Sequence, residues 1–219
     1  MTKPIVFCDF DGTITNSDNI IAVMKRFAPP EWEAIKDDIL AQRCSVQEGV
    51  GRLFSLLPSS LKEEIIHFLL QTARIRDGFR EFVAFLKERD IPLYIVSGGI
   101  DFFVYPLLDG LVGKDRIFCN GSDFSGETIR ITWPHSCDEH CQNGCGCCKP
   151  SLLRKLAPQD ATKIVIGDSI TDLAVARLAD HVIARDFLLE KCQELRLPHT
   201  PFTTFYDVVA FFERIGVKA

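Results

Sequence analysis

The chain has no surplus of basic charge, no long apolar run and no repeat or low-complexity tract. Its 25 basic and 30 acidic side chains give a net charge of −5, so the chain as a whole carries no electrostatic footprint for nucleic acid. Short basic stretches such as Arg74-Ile75-Arg76 read as solvated helix surface. The most apolar segment, Ile65 to Leu70, is interrupted by His67 and is far too short to span a bilayer, so no membrane partner is expected. Ahead of Asp9 stand only a few apolar residues after Lys3-Pro4, well short of a secretory leader. The expected setting is therefore the cytoplasm. Oligomeric state leaves no mark in the sequence.

Cysteine is the exception to these scarcities. There are nine, an odd number, and five fall between Cys137 and Cys148. In a reducing compartment such a cluster points to metal or free thiols more than to a disulfide framework.

Strand-like and helix-like segments alternate. Pro4 to Cys8, Ile91 to Val96, Lys163 to Ile166 and Asp180 to Ala184 read as strands, and Phe79, Phe82, Val83 and Leu86 repeat at helical spacing. This predicts an α/β, Rossmann-like, doubly wound parallel sheet with helices on both faces. Residues 16–76 hold several helical patterns and few strand signals, far more chain than one crossover needs. They are expected to form a small helical cap inserted after the first strand, leaving 1–15 and 77–219 as the core. Within the core, residues 120–148 are expected to form a hairpin and Cys-rich insert, because Ile129, Ile131 and Trp133 alternate with Arg130 and Thr132.

Ligands in such a sheet bind beyond the carboxyl ends of the strands. Asp9-Phe10-Asp11-Gly12-Thr13 stands right there, directly after the first strand. Two carboxylates two residues apart at a strand end need a counter-charge, which a divalent cation would supply. One carboxylate is then placed to attack an electrophile and the other to move a proton. Gly12 permits the tight turn that follows. Further along come Ser97-Gly98-Gly99, then Lys149, then Gly167-Asp168-Ser169-Ile170-Thr171-Asp172. Each alone is an ordinary turn, surface lysine or helix cap. Their order at successive strand ends makes them informative together.

In these motifs the chain resembles the haloacid dehalogenase superfamily of phosphohydrolases. The resemblance covers the whole core and implies specific roles. Asp9 is the nucleophile and forms an aspartyl-phosphate; Asp11 is the acid and base. Ser97 and the amide of Gly98 hold phosphate oxygens, and Lys149 neutralises charge. Mg²⁺ is held by Asp9, the Asp11 carbonyl and Asp168, with Asp172 orienting that shell. The substrate implied is a small-molecule phosphate ester. The dehalogenase branch leaves Asp11 and Asp168 unexplained, and a phosphate-receiver switch needs neither Asp11 nor a cap.

Longer stretches narrow the resemblance to one branch, among them Phe27-Ala28-Pro29-Pro30-Glu31-Trp32, Asp101-Phe102-Phe103-Val104-Tyr105-Pro106 and Trp133-Pro134-His135-Ser136-Cys137. That branch hydrolyses the 1-phosphate ester of a methylthio enol-ketone in methionine salvage. The other small-metabolite reading is a phosphoserine-phosphatase-like enzyme, with Arg52 set to bind a carboxylate. Phe27, Trp32, Phe54 and Leu57 are either an apolar slot for a methylthio tail or the cap's own core. The thiols at Cys137, Cys141, Cys145, Cys147 and Cys148 leave three states open: reduced structural thiols, a structural Zn²⁺ with His135 and His140 as further possible ligands, or a disulfide. A reading of another class, a zinc-dependent binding module without catalysis, leaves the four phosphatase motifs coincidental.

Overall fold

The computed structural model describes residues 3–216. In chain order the elements are β1 (Pro4–Cys8), α1 (Asn19–Phe27), α2 (Trp32–Leu40), α3 (Val46–Ser55), α4 (Lys62–Thr72), α5 (Phe79–Glu88), β2 (Leu93–Ile100), α6 (Asp101–Leu107), β3 (Ile117–Asp123) and β4 (Arg130–Thr132). There follow α7 (Lys149–Leu156), β5 (Thr162–Gly167), α8 (Leu173–Ala176), β6 (His181–Ala184), α9 (Asp186–Glu194), β7 (His199–Pro201) and α10 (Phe205–Arg214). The strands form one sheet in the order β4-β3-β2-β1-β5-β6-β7. All neighbours are parallel except β3 and β4, which are antiparallel.

Alternation along β1 explains the layering. Ile5 and Phe7 point to one face, into a cluster with Leu152 and Leu153 of α7 and Val175 of α8. Val6 and Cys8 point to the other, into the main cluster with Phe82 of α5 and Phe205, Phe211 and Phe212 around α10. A strand buried on both faces needs helices on both, which is the doubly wound arrangement. On α10 the stripe Phe205, Val208, Phe211 and Phe212 is buried, and Thr204 with Asp207 closes a capping box at its start. Each fully buried Phe contributes about 2–3 kcal/mol of burial.

Three predicted strands stand within two residues of their expected places. β2 runs further than expected, through Ser97-Gly98-Gly99 to Ile100, with its register to β3 broken between Val96 and Ile100. The hairpin partner of β4 is β3, which starts at Ile117, ahead of the segment expected to hold it.

Helices α1 to α4 lie between β1 and β2. The chain leaves the sheet and returns to it through an antiparallel bridge between Thr15 and Ile75, where Asn16 N–H donates to Arg74 O (2.9 Å) and Arg76 N–H to Ile14 O (2.7 Å). A second tie joins this segment to the hairpin: Ser59 N–H donates to Glu127 O (2.8 Å) and Ile129 N–H to Leu57 O (2.9 Å). Trp32, Phe54 and Leu57 are buried in the main core, and Phe54 meets Phe102 edge-on. Phe27 packs edge-on against Phe68. These aromatics are core side chains of the helical segment, not the lining of an open slot. No helix among the described residues is long and apolar enough to cross a membrane.

Candidate active site

The central strand β1 delivers Asp9 at its carboxyl end, 6% exposed. Next in space is β5, which ends at Gly167 and delivers Asp168. A 3-10 turn, Ile170–Asp172, then carries Asp172 back towards the strand ends. Oxygens of Asp9, Asp168 and Asp172 lie within 4.8 Å of one another. Lys149, the first residue of α7, is equally buried, and its Nζ stands 2.7 Å from Asp9 Oδ1 and 2.6 Å from Asp172 Oδ1.

The other partners hold these groups in place. Asp9 Oδ1 accepts from Phe10 N–H (2.8 Å). Asp168 Oδ1 accepts from the Thr13 hydroxyl (2.5 Å). Asp172 Oδ2 accepts from the amides of Asp168 and Ser169, both at 3.1 Å. Gly12 has φ +80°, and a Cβ there would lie 2.4 Å from Asp168 Oδ2, so only glycine lets the two loops meet.

Three carboxylates against one ammonium leave negative charge in a buried place. Burial pushes the Asp9 carboxyl well up, Asp172 adds to the push, and Lys149 opposes it. Burial and then Asp172 push Asp168 up to about 7. For Lys149, burial alone would lower the ammonium, but the carboxylates of Asp172 and Asp9 outweigh it and hold it well above the ordinary lysine range. Such a set of hard, closely spaced oxygens fits Mg²⁺ and does not fit a soft metal.

Asp11 faces elsewhere. Its Oδ1 accepts from Asn19 Nδ2 (2.7 Å) and Asn19 N–H (3.1 Å), and the Ser97 hydroxyl stands 3.5 Å from its Oδ2. Burial, then the charge of Asp18, raise Asp11 to about 7, while Asn19's two hydrogen bonds hold it down. Ser97 is fully buried and its Oγ accepts from Gly99 N–H (2.8 Å). Gly98 O accepts from Asn120 Nδ2 (2.7 Å), and the space beside the Gly98 Cα is open. Asp9, Asp11, Ser97, Gly98, Lys149 and Asp168 thus gather at the carboxyl ends of β1, β2 and β5.

The roles of Thr13, Asn19 and Asn120 carry no signal in the sequence, and Arg76, expected on a solvated helix surface, is instead buried and lies outside any helix. Asn19 follows the helix cap Asp18, the one local cue near it. Arg76 is 8% exposed and donates to the carbonyls of Thr13 (2.7 Å), Gly12 (2.7 Å), Thr15 (3.3 Å) and Thr203 (3.3 Å), fastening the loop that carries Asp11. Arg52 is a surface residue 3.5 Å from Asp38. His67 pairs with Gln71, His181 stacks on Phe211, and His199 meets Leu197 O, all structural roles.

A sheet of this order with acidic residues at its central strand ends defines a class. Residues 6–177 match the model of the haloacid dehalogenase-like hydrolase family, and the chain belongs to it. Over 218 residues it is 77% identical to the 2-hydroxy-3-keto-5-methylthiopentenyl-1-phosphate phosphatase of Geobacillus kaustophilus (strain HTA426), covering 99% of both chains. It is 76% identical over 215 residues to the protein of that name from Geobacillus thermodenitrificans (strain NG80-2), covering 98% of both. The like-named protein of Brevibacillus brevis (strain 47 / JCM 6285 / NBRC 100599) is 58% identical over 214 residues, 97% of this chain and 96% of that one. Among solved structures, a phospho-aspartyl intermediate analogue of phosphoserine phosphatase superposes with a TM-score of 0.72, 19% identity, and coverage of 96% of this chain and 99% of that chain. At that identity the likeness is one of fold.

Proposed function

We propose that this hydrolase is a Mg²⁺-dependent phosphomonoesterase that converts 2-hydroxy-3-keto-5-methylthiopentenyl-1-phosphate to 1,2-dihydroxy-3-keto-5-methylthiopentene and inorganic phosphate. The observation that carries the chemistry is the buried trio of carboxylates with a single ammonium among them. The substrate follows the relatives that match over nearly the whole chain.

In this reading an oxygen of Asp9 attacks phosphorus as the bond to the leaving enol oxygen breaks, and Asp11 gives that oxygen its proton. Water then attacks the aspartyl-phosphate, Asp11 takes a proton from it, and phosphate departs with Asp9 restored. Ser97 and the Gly98 amide hold phosphate oxygens throughout, and Lys149 offsets charge on Asp9 and the phosphoryl group. Mg²⁺, held by Asp9, the Asp11 carbonyl and Asp168, supplies further neutralisation and orientation when bound. Asp172 keeps Asp168 and Lys149 in position. Residues 16–76 act as a cap that keeps bulk water from the intermediate.

The phosphoserine reading asks Arg52 to bind a carboxylate. Arg52 lies at the surface, 3.5 Å from Asp38. A steady-state comparison with Mg²⁺ separates the two. The methylthiopentenyl ester should exceed phosphoserine in kcat/KM by about 100-fold or more, and EDTA should abolish both activities. Preference for phosphoserine would reverse the substrate assignment.

A further inference from the structure

Away from the carboxylates, a second set of ionisable side chains converges. The Sγ atoms of Cys137, Cys141, Cys145 and Cys148 lie within 4.8 Å of one another, and those of Cys141 and Cys145 are 3.8 Å apart. All nine cysteines are free. A tetrahedral zinc with Zn–S bonds of about 2.3 Å has sulfur–sulfur edges of about 3.8 Å. The Cys141–Cys145 separation matches that edge, and the other sulfur pairs are at most about 1 Å longer. We propose that these four thiolates bind one structural Zn²⁺, which fastens the segment 133–148 to the head of α7 and so helps seat Lys149.

The segment is built for convergence. It contains no helix or strand, and Cys137 and Cys145 are only half-buried, so apolar burial does little to hold it. Gly144 (φ 59°) and Gly146 (φ 76°) bend the chain on either side of Cys145, in a conformation that other residues resist. Cys148 N–H donates to His135 O (2.8 Å) and Cys141 N–H to Asp138 O (3.1 Å), fixing the two arms. The arrangement is also selective. Neighbouring Cys147 turns away, its Sγ 3.6 Å from Phe118 O. His135 packs edge-on against Phe118, and His140 lies 3.4 Å from Glu139, so neither histidine joins the four sulfurs.

Four thiolates suit a soft or borderline metal, and a closed tetrahedral sulfur set is the mark of a structural site rather than a catalytic one. Such a complex carries excess negative charge and calls for donors around it. The Ser151 hydroxyl donates to Cys148 Sγ (2.9 Å). Arg154 stands close by and grips Asp138 with two bonds, 2.9 and 2.5 Å. Two consequences follow from position. Cys148 directly precedes Lys149, whose Nζ must meet Asp9 and Asp172. Gly144 O accepts from Gln47 N–H (2.9 Å) at the start of α3, so the same segment also touches the helices between β1 and β2.

The test reads metal, not turnover, and is independent of the phosphatase reading. The full chain is produced without added zinc, dialysed against metal-free buffer, and assayed by elemental analysis and X-ray absorption. The expected result is about one zinc per chain in a shell of four sulfurs near 2.3 Å. Cys145→Ser should lower the zinc content at least tenfold, while Cys44→Ser, outside the cluster, should retain it. Wild-type protein that is folded and zinc-free, with the four thiols open to a thiol reagent, overturns the proposal. So does a disulfide in the cluster by mass, or iron in place of zinc. If Cys145→Ser fails to fold, the wild-type metal content and absorption spectrum still decide.

Discussion

Asn19 holds Asp11 by two donors on one oxygen, which in the proposed mechanism fixes where a proton is delivered. Asn19→Ala removes the side-chain donor and keeps the backbone one. It is expected to lower kcat by about 10- to 100-fold, as a small misplacement of a reacting group does, with KM changed little; steady-state kinetics on the methylthiopentenyl ester check this split. Lys149 matters for a different reason. Its ammonium is the only cation paired with Asp9 and Asp172 among the described residues. Lys149→Met strands two buried carboxylates, so urea denaturation in EDTA should show a loss of about 3–5 kcal/mol. Turnover with Mg²⁺ should fall on the order of 10²–10³. The placement of Asp9, Asp11 and Asp168 was legible in the sequence because each sits in a short string directly after an apolar strand. Thr13, Asn19 and Asn120 were not, because their partners Asp168, Asp11 and Gly98 reach them only through folding, and a lone polar residue looks the same wherever it points.

Among the elements, the loop after β1 depends on a residue 61 to 64 positions further along. Arg76 spends its guanidinium on backbone carbonyls of Gly12, Thr13, Thr15 and Thr203. A lysine offers one ammonium in place of a planar fork and cannot span them. Arg76→Lys should therefore destabilise the fold by about 2–3 kcal/mol, and a drop in the urea midpoint without a change in slope is the signature. Retained stability would show that the fork is dispensable. Strand legibility followed burial. β1 and β5 are near-continuous apolar runs, buried on both faces, and their sequences announce them. β3 was missed because its second half, Asn120-Gly121-Ser122-Asp123, is polar, and from Gly121 to Asp123 it pairs with the short β4. β7 was missed because it has three residues, one of them Pro201, at the sheet edge. β2 ran past its predicted end because Ser97-Gly98-Gly99 reads as a turn. In the fold these residues stay extended through a register break, which brings Ser97 beside Asp11.

Across the whole molecule, the sheet brings together groups from positions 9 to 172, and the helices between β1 and β2 are tied back by the Thr15–Ile75 bridge and the hairpin. Asp9 and Ser97 are almost wholly buried, and the proposed mechanism therefore requires the elements over them to open for substrate. In the proposed mechanism phosphorus passes through Asp9, and trapping the acyl phosphate tests this most directly. Enzyme mixed with substrate and Mg²⁺ is quenched in acid, reduced with borohydride and mapped by peptide mass spectrometry. The account predicts homoserine at position 9, absent when substrate is omitted, and no turnover in Asp9→Asn. Reduction at another residue, or turnover retained in Asp9→Asn, would contradict it.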